Sequence, residues 1–115
     1  VTLVSVEPPH GPAHVAYRPG TRHPVGRGAP GLALLAAGPP RPGERPEVAR
    51  ARHDGYATST GEVLPGLSSV AAPVVVAGGA VAGAVALVYL HDTQDVAALG
   101  AMVAHSAGAV ADALR

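Results

Sequence analysis

An almost uninterrupted apolar segment from Leu67 to Leu90 constrains the fold of this chain more than any other feature. A stretch of this length could cross a membrane as one helix. Pro73 and the run Ala77–Ala80 interrupt it, however, and its many Val residues favour strands. The segment therefore predicts a hairpin of two long buried strands, Ser68–Val76 and Val81–Leu90, and no contact with a membrane.

The composition limits how a core can be built. Hydrophobic residues make up 48% of the 115 residues, but the only aromatic residues are three Tyr. The core must therefore consist of Ala, Val and Leu, which each bury little area, so one such domain is only modestly stable alone. Association with further copies stabilises small domains, and we expect a homodimer or homotetramer.

Charge and missing residue types exclude several function classes. The formal net charge is zero and the Arg residues are scattered, which argues against nucleic-acid binding by this chain itself. Because Cys and Lys are absent, disulfides, thiolate chemistry, Cys-based zinc sites and lysine-dependent catalysis are excluded. The chain begins at Val1 without a visible signal peptide, so we expect it to be part of a longer protein.

The remaining patterns predict an α+β domain with a mostly antiparallel sheet. Further strands are expected at Thr2–Val6, Ala13–Arg18, Arg22–Val25 and Tyr56–Ser59, the first two forming a hairpin. Short helices are expected at Leu32–Ala37 and Glu47–His53. A longer closing helix, capped by Asp92 or Thr93, has an apolar stripe of Val96, Leu99, Val103, Ala107, Val110 and Leu114.

No motif predicts a catalytic, metal or cofactor site. Gly26–Gly31 matches G-x-G-x-x-G, but at most four strand residues precede it and Pro30 lies inside it, which favours a chance match. A turn that presents backbone amides to a ligand remains open. His10 and His14 cannot share a helix face because Gly11-Pro12 separates them, and Glu62 has no second acid beside it in the sequence.

Residues 55–76 carry a family resemblance. Gly55-Tyr56-Ala57, Gly61-Glu62 and the segment Gly66–Val74 resemble the C-terminal domain of IclR-type transcriptional regulators, and Arg50 fits the Arg that precedes G-Y-A in that family. Gly20–Val25 and Gly28–Ala36 are similar to its upstream segments. The resemblance therefore covers nearly the whole chain as one domain, 1–115.

The resemblance implies a GAF-like α+β fold, with helices flanking the sheet and a small-molecule pocket. It also implies a cytoplasmic ligand-sensing and oligomerisation domain that binds a small organic-acid effector. DNA would be bound by a separate N-terminal winged helix-turn-helix, which we do not expect in this chain. The pocket positions that match are Gly28, Ala29, Ser59, Leu67, Ser69, Ala86 and Val88.

Several alternatives stay open from the sequence. Ala86 and Val88 stand where the family often has polar groups, and apolar strand positions are usually core. If they line a pocket, its apolar wall favours an acid with an apolar or aromatic body over pyruvate or glyoxylate. The domain could instead be a stand-alone GAF-like binding or dimerisation module, or a small enzyme, although no catalytic residues are recognisable.

Overall fold

The computed structural model describes residues 1–6, 19–22, 24–63, 65–90 and 95–115. Within these ranges three strands form one antiparallel sheet in the order β1-β2-β3. Helices pack on both faces of this sheet, which confirms the predicted α+β class. The elements are α1 (Ala29–Ala37), α2 (Pro46–Asp54), β1 (Ala57–Thr60), β2 (Leu67–Val75), β3 (Val81–Leu90) and α3 (Val96–Ala113).

The predicted hairpin of long strands is confirmed as β2 and β3, but the prediction that both are buried is wrong: β2 is mostly buried, whereas every residue of β3 is half-buried or exposed. Leu67 at the start of β2 pairs with Leu90 at the end of β3, and a short 3-10 turn, Ala77–Gly79, lies in the connection. Pro73 is tolerated within β2 because β1 pairs with β2 only as far as Ala71. Beyond Ala71, β2 pairs with β3 alone. The N–H that Pro73 lacks therefore interrupts no hydrogen-bond ladder on the β1 side.

Alternation along β2 divides the core between the two faces of the sheet. On one face, Val70 and Val74 pack against Val103 of α3. On the other face, Ala71 lies beneath α1 and α2. The buried cluster on that second face consists of Ala29, Leu32, Ala33, Ala36, Val48, Ala51, Ala57 and Ala71. The core is built of Ala, Val and Leu, as the composition requires.

The two short helices lie close to their predicted positions. α2 extends the predicted Glu47–His53 by one residue at each end and stops at Gly55, whose φ of 86° is the left-handed value that terminates helices. α1 begins three residues before the predicted Leu32, because Pro30 is acceptable in a first turn. Gly31 allows this start, since a Cβ there would lie 1.9 Å from the carbonyl oxygen of Val25.

The closing helix α3 is confirmed, but its buried line differs from the predicted stripe. Asp95 caps it, with Oδ1 accepting a hydrogen bond from the Ala98 N–H at 3.1 Å, whereas Asp92 and Thr93 lie outside the described residues. The predicted stripe residues Val96, Val110 and Leu114 are exposed. The buried line is Gly100, Val103, Ala107 and Ala111.

Gly100 explains this rotation of α3, because the Tyr56 ring lies only 2.5 Å from where a Cβ of residue 100 would be. The helix thus places Gly100 against Tyr56, while Val103 and Ala107 of the predicted stripe stay buried and Val96, Val110 and Leu114 are exposed. By length and composition alone, α3 could also cross a membrane. One side of it packs against β2, as the core helix of a soluble domain does.

Two of the strands expected near the N-terminus are not found among the described residues. Residues Thr2–Val6 form no strand; within the described part of the chain, Thr2 exchanges two backbone hydrogen bonds, with Thr21 at 2.9 Å and Gly20 at 2.7 Å. Leu3, Val4 and Val6 are exposed, so burial does not hold an extended pairing there. The described residues of Arg22–Val25 form no strand either, and the expected strand Ala13–Arg18 lies outside the described residues.

Candidate binding site

The start of α1 supplies two backbone donors to the candidate site. Gly28, with φ 85°, precedes the helix and has no side chain that could cap it. The caps come from elsewhere: the Ala29 N–H donates to Ser59 Oγ at 2.9 Å, and the Gly28 N–H donates to Glu62 Oε1 at 3.2 Å. The sequence predicted that these amides would face a ligand, but side chains of the chain itself occupy both.

An ion pair fixes Glu62 in this position. Arg45 donates to Glu62 through both terminal nitrogens, at 2.7 Å to Oε1 and 3.1 Å to Oε2. The same guanidinium donates to the Gly26 carbonyl at 2.7 Å and also contacts Glu47. Arg27 donates to the backbone carbonyl of Glu62 at 2.8 Å. The glycine-rich turn is therefore tied to both the β1–β2 connection and the start of α2.

These contacts keep the Glu62 carboxylate ionised. The hydrogen bonds from Arg45 are the largest effect and lower the pKa of Glu62; burial comes next and raises it, and the Gly28 N–H lowers it again by a smaller amount. Arg45 likewise lowers the pKa of Glu47. One Arg between two acids leaves the cluster with a formal charge of −1, and the Glu62 carboxylate that faces the start of α1 is paired with Arg45.

Sequence reasoning missed this cluster. Glu62 was predicted to stand alone, and Arg50 was matched to the family Arg, yet Arg50 is exposed and Arg45 makes the ion pair. The contact spans 17 residues, and spacing could not distinguish Arg45 from Arg50 or Arg52. The one available signal was that an Arg before Gly55 and the turn residue Glu62 both belong to the family resemblance.

The sheet brings the other predicted site residues to one face. Ser59 of β1 pairs with Ser69 of β2, which pairs with Val88 of β3, so these three lie side by side across the sheet. Leu67 and Ala86 share this face because they are two residues from Ser69 and Val88. All seven predicted positions therefore lie on the α1 side of the sheet or at the start of α1.

Ser69 is the unusual member of this set. Its side chain is buried, with 4% of the residue exposed, and its Oγ has no hydrogen-bond partner among the residues that the structure describes. A buried hydroxyl without a partner loses its bonds to water and gains nothing in return. Its neighbour Ser59 accepts from Ala29 and keeps a hydroxyl hydrogen to donate. Two hydroxyl donors are therefore adjacent at this point of the sheet.

The wall beside the two serines is apolar and open. Val88 is 36% exposed, Ala86 is also exposed, and Leu67 is half-buried. Neither Ala86 nor Val88 is buried among the described residues. The apolar surface that they form adjoins Ser59 and the buried Ser69.

A groove lies at the other end of α1 and contains none of the predicted residues. This groove of about 200 Å³ lies between the C-terminal half of α1, α2 and the end of β2. Arg52 borders it but is engaged by Glu44 at 2.8 and 3.2 Å. Its lining is otherwise almost wholly apolar: Ala33, Ala36, Ala37, Ala51, Gly55, Tyr56, Pro73 and Val75.

Within the described ranges, no three His, Asp or Glu side chains come together in a way that could hold a metal ion. His10 and His14 lie outside those ranges. Gly26–Gly31 forms the turn into α1 without a strand immediately before it. The turn therefore lacks the strand that a dinucleotide-binding unit places directly before its glycines.

No family model matches the sequence, and no curated protein matches it significantly. Solved structures do match. An IclR transcriptional regulator from Alicyclobacillus acidocaldarius superposes with a TM-score of 0.77 at 25% identity, covering 96% of this chain and 54% of that one. The Agobacterium tumefaciens repressor BlcR gives 0.73 at 21% identity, covering 84% and 49%.

A C-terminal domain of a putative transcriptional regulator from Vibrio cholerae gives a TM-score of 0.64 at 26% identity, covering 84% of this chain and 72% of that one. The chain spans about half the length of the first two structures. The resemblance predicted from residues 55–76 is thereby confirmed: the chain has the fold of the C-terminal domain of IclR-type transcriptional regulators.

Proposed function

We propose that this chain is the ligand-sensing and oligomerisation domain of an IclR-type regulator, which binds a small organic acid and controls DNA binding by a separate N-terminal domain. The matching structures described above are a repressor and transcriptional regulators, which supports a regulator domain. The cytoplasm is the compartment in which such a regulator meets its DNA. The observation that carries the proposal is the unpartnered, buried hydroxyl of Ser69 beside the start of α1.

Two features favour an acid with an apolar or aromatic body. Ser59 and Ser69 offer two hydroxyl donors for one oxygen, and Leu67, Ala86 and Val88 offer an apolar surface for carbon. A small acid such as pyruvate would lose water from several oxygens and find few donors. Glu62 reinforces this preference, because its carboxylate already occupies the Gly28 amide that a second oxygen would use.

Thermal unfolding with and without candidate acids tests the proposal. Benzoate or octanoate should raise the midpoint of the chain more than pyruvate or glyoxylate does. Ser69→Ala should reduce that rise, whereas Thr58→Ala, in β1 on the opposite face of the sheet, should not. A larger rise with pyruvate would contradict the apolar wall. No rise with any acid would favour the alternative of a module for oligomerisation alone.

The regulatory half of the proposal needs the longer protein. A polypeptide that carries a winged helix-turn-helix before this domain should bind its operator with an affinity that the stabilising acid changes, in a gel-shift titration. This chain alone should bind DNA only weakly and without sequence preference, because its net charge is zero. Specific, salt-resistant binding by this chain would contradict the assignment of DNA binding to another domain.

A further inference from the structure

Glu62 fills a position at the start of α1 that is chemically suited to an anion. Its Oε1 accepts hydrogen bonds from the Gly28 N–H at 3.2 Å and from Arg45 Nη1 at 2.7 Å, and its Oε2 accepts from Arg45 Nη2 at 3.1 Å. A backbone N–H at a helix start and a guanidinium are common donors to a bound carboxylate. The chain therefore carries a carboxylate of its own in an anion position.

The Ser69 hydroxyl points independently to a ligand next to this position. It is buried and has no hydrogen-bond partner among the described residues. Ser69 pairs with Ser59 across the sheet, and Ser59 Oγ accepts from the Ala29 N–H, the amide that follows the one engaged by Glu62. Ser59 therefore links the unpartnered hydroxyl to the helix start that Glu62 occupies.

We propose that Glu62 is a specificity-determining residue of this site, and that it excludes acids with a further oxygen beside the carboxylate, such as 2-oxo acids. The inference rests on the proposed function, because it concerns the ligand of the same site. Ser59 and Ser69 can each donate one hydrogen bond to the carboxylate of a ligand. The further oxygen of a 2-oxo acid would need the Gly28 N–H or Arg45, and Glu62 already engages both.

A small acid gains little by displacing Glu62 from this position. The Glu62 carboxylate belongs to the same chain, so it competes with a free acid at a high effective concentration. Arg27 strengthens this competition, because it donates to the backbone carbonyl of Glu62 at 2.8 Å and holds the residue in place. An acid with an apolar body can bind without displacing Glu62, since the wall beside the serines is contacted by carbon and needs no further donor.

The opposite end of α1 supplies a matched control. Arg52 pairs there with Glu44 at 2.8 Å and donates to the Gly38 carbonyl at 3.3 Å, so a second Arg–Glu pair is joined to an end of the same helix. This end presents carbonyl oxygens, which disfavour an anion. Glu44→Ala therefore breaks an ion pair without freeing a backbone N–H, whereas Glu62→Ala does both.

Calorimetric titration with pyruvate and benzoate tests the specificity. In Glu62→Ala, Arg45 keeps Glu47, but its Nη1 and the Gly28 N–H are left without a carboxylate. Glu62→Ala should therefore bind pyruvate at least about tenfold more tightly than the wild-type chain does, and benzoate with little change. Glu44→Ala should bind both acids as the wild-type chain does. An unchanged affinity of Glu62→Ala for pyruvate would overturn the inference.

Circular dichroism checks the folding of each variant. If Glu62→Ala does not fold, Glu62→Asp takes its place, because its carboxylate ends one methylene short of the Gly28 N–H and Arg45. Glu62→Asp should then show the same gain for pyruvate, to a smaller extent. Its absence in a folded Glu62→Asp would likewise overturn the inference.

Formate tests the anion position without an effector, because it has no apolar body. Sodium formate should raise the unfolding midpoint of Glu62→Ala above its value in sodium chloride of equal concentration, but not the midpoints of Glu44→Ala and the wild-type chain. If it does so while no acid binds to the wild-type chain, the proposed ligand site is lost and the anion position filled by Glu62 stands. If benzoate binds to the wild-type chain and Glu62→Ala gains neither pyruvate nor formate, only the inference about Glu62 is lost.

Discussion

The two faces of the sheet are held to their helices by different interactions. Towards α3, the packed side chains are Val and Ala, with Val70, Val74 and Val103 at the centre. Towards α1 and α2, Leu32 and Val48 are the only large, fully buried side chains among the described residues, and directed hydrogen bonds add to them. Ser59 and Glu62 hold the start of α1, and Arg52, which also pairs with Glu44, donates to the Gly38 carbonyl at its end at 3.3 Å.

This difference indicates where a ligand can be recognised. Apolar packing depends on volume and tolerates small shifts of a helix, whereas a hydrogen bond of 2.9 Å fixes two atoms closely. A ligand site beside the start of α1, as proposed above, would therefore have a fixed geometry. The α3 face contributes apolar packing.

Leu32→Ala should have the largest effect, because the α1 side depends on few large side chains. Leu32 is fully buried among alanines, which cannot move far enough to fill the cavity. We expect a loss of about 2–5 kcal/mol in the free energy of unfolding, measured in urea. Val103→Ala on the α3 side removes less volume and should cost less. A larger loss for Val103→Ala would contradict the difference between the two faces.

Gly31→Ala should be the next most damaging change. Its Cβ would lie 1.9 Å from the carbonyl oxygen of Val25, and backbone cannot move aside as a side chain can. We expect a loss of about 1–3 kcal/mol in the free energy of unfolding, together with weaker acid binding at the displaced turn. Gly83→Ala is the control, because nothing lies within 4 Å of its Cβ position. Equal effects of the two changes would show that the turn is not fixed.

The fold was largely predictable from local patterns, and its errors have physical causes. β2, β3 and α2 follow from Val content, the glycine interruptions and the stop at Gly55. The buried line of α3 did not, because periodicity alone cannot show that the Tyr56 ring covers Gly100. The strand expected at Thr2–Val6 is not formed. The apolar pattern of a segment does not show whether other elements of the fold will cover it.

The candidate site was predictable only in part. The family resemblance selected seven positions, and strand register explains why they share one side of the sheet. The occupied amides of Gly28 and Ala29 could not be predicted, because Glu62 and Ser59 reach them across more than 25 residues. The same holds for the choice of Arg45, a contact set by the packing of α2 against α1.

Glu62→Gln should have an intermediate effect, on the α1 side alone. It removes a partly exposed ion pair and leaves an amide that can still accept from Gly28, so the loss should be about 1 kcal/mol. The folded pKa of Glu62 lies below the ordinary value of 4.5. The stabilisation is therefore complete above that value and disappears as the pH falls through the folded pKa.

The difference between the wild-type chain and Glu62→Gln, measured by urea unfolding, should accordingly be constant near pH 7 and shrink below about pH 4. Arg45→Met, alone and combined with Glu62→Gln, completes a double-mutant cycle. The two losses should not add, since either change breaks the same ion pair. Additive losses would show that Arg45 acts mainly through Glu47 or the Gly26 carbonyl.

Ser69→Ala should have the smallest effect on stability and the most specific effect on binding. Because the Ser69 hydroxyl is buried without a partner in the described structure, its removal should leave the free energy of unfolding unchanged or raise it slightly. Ser59→Ala is the matched control and should lose about 0.5–1.5 kcal/mol, since it breaks the bond to the Ala29 N–H. In a calorimetric titration with a stabilising acid, Ser69→Ala should weaken binding of the acid by about 0.5–1.5 kcal/mol. If Ser69→Ala destabilised the unliganded chain as much as Ser59→Ala does, the hydroxyl would have a structural partner, and the main reason for placing the ligand oxygen there would be lost.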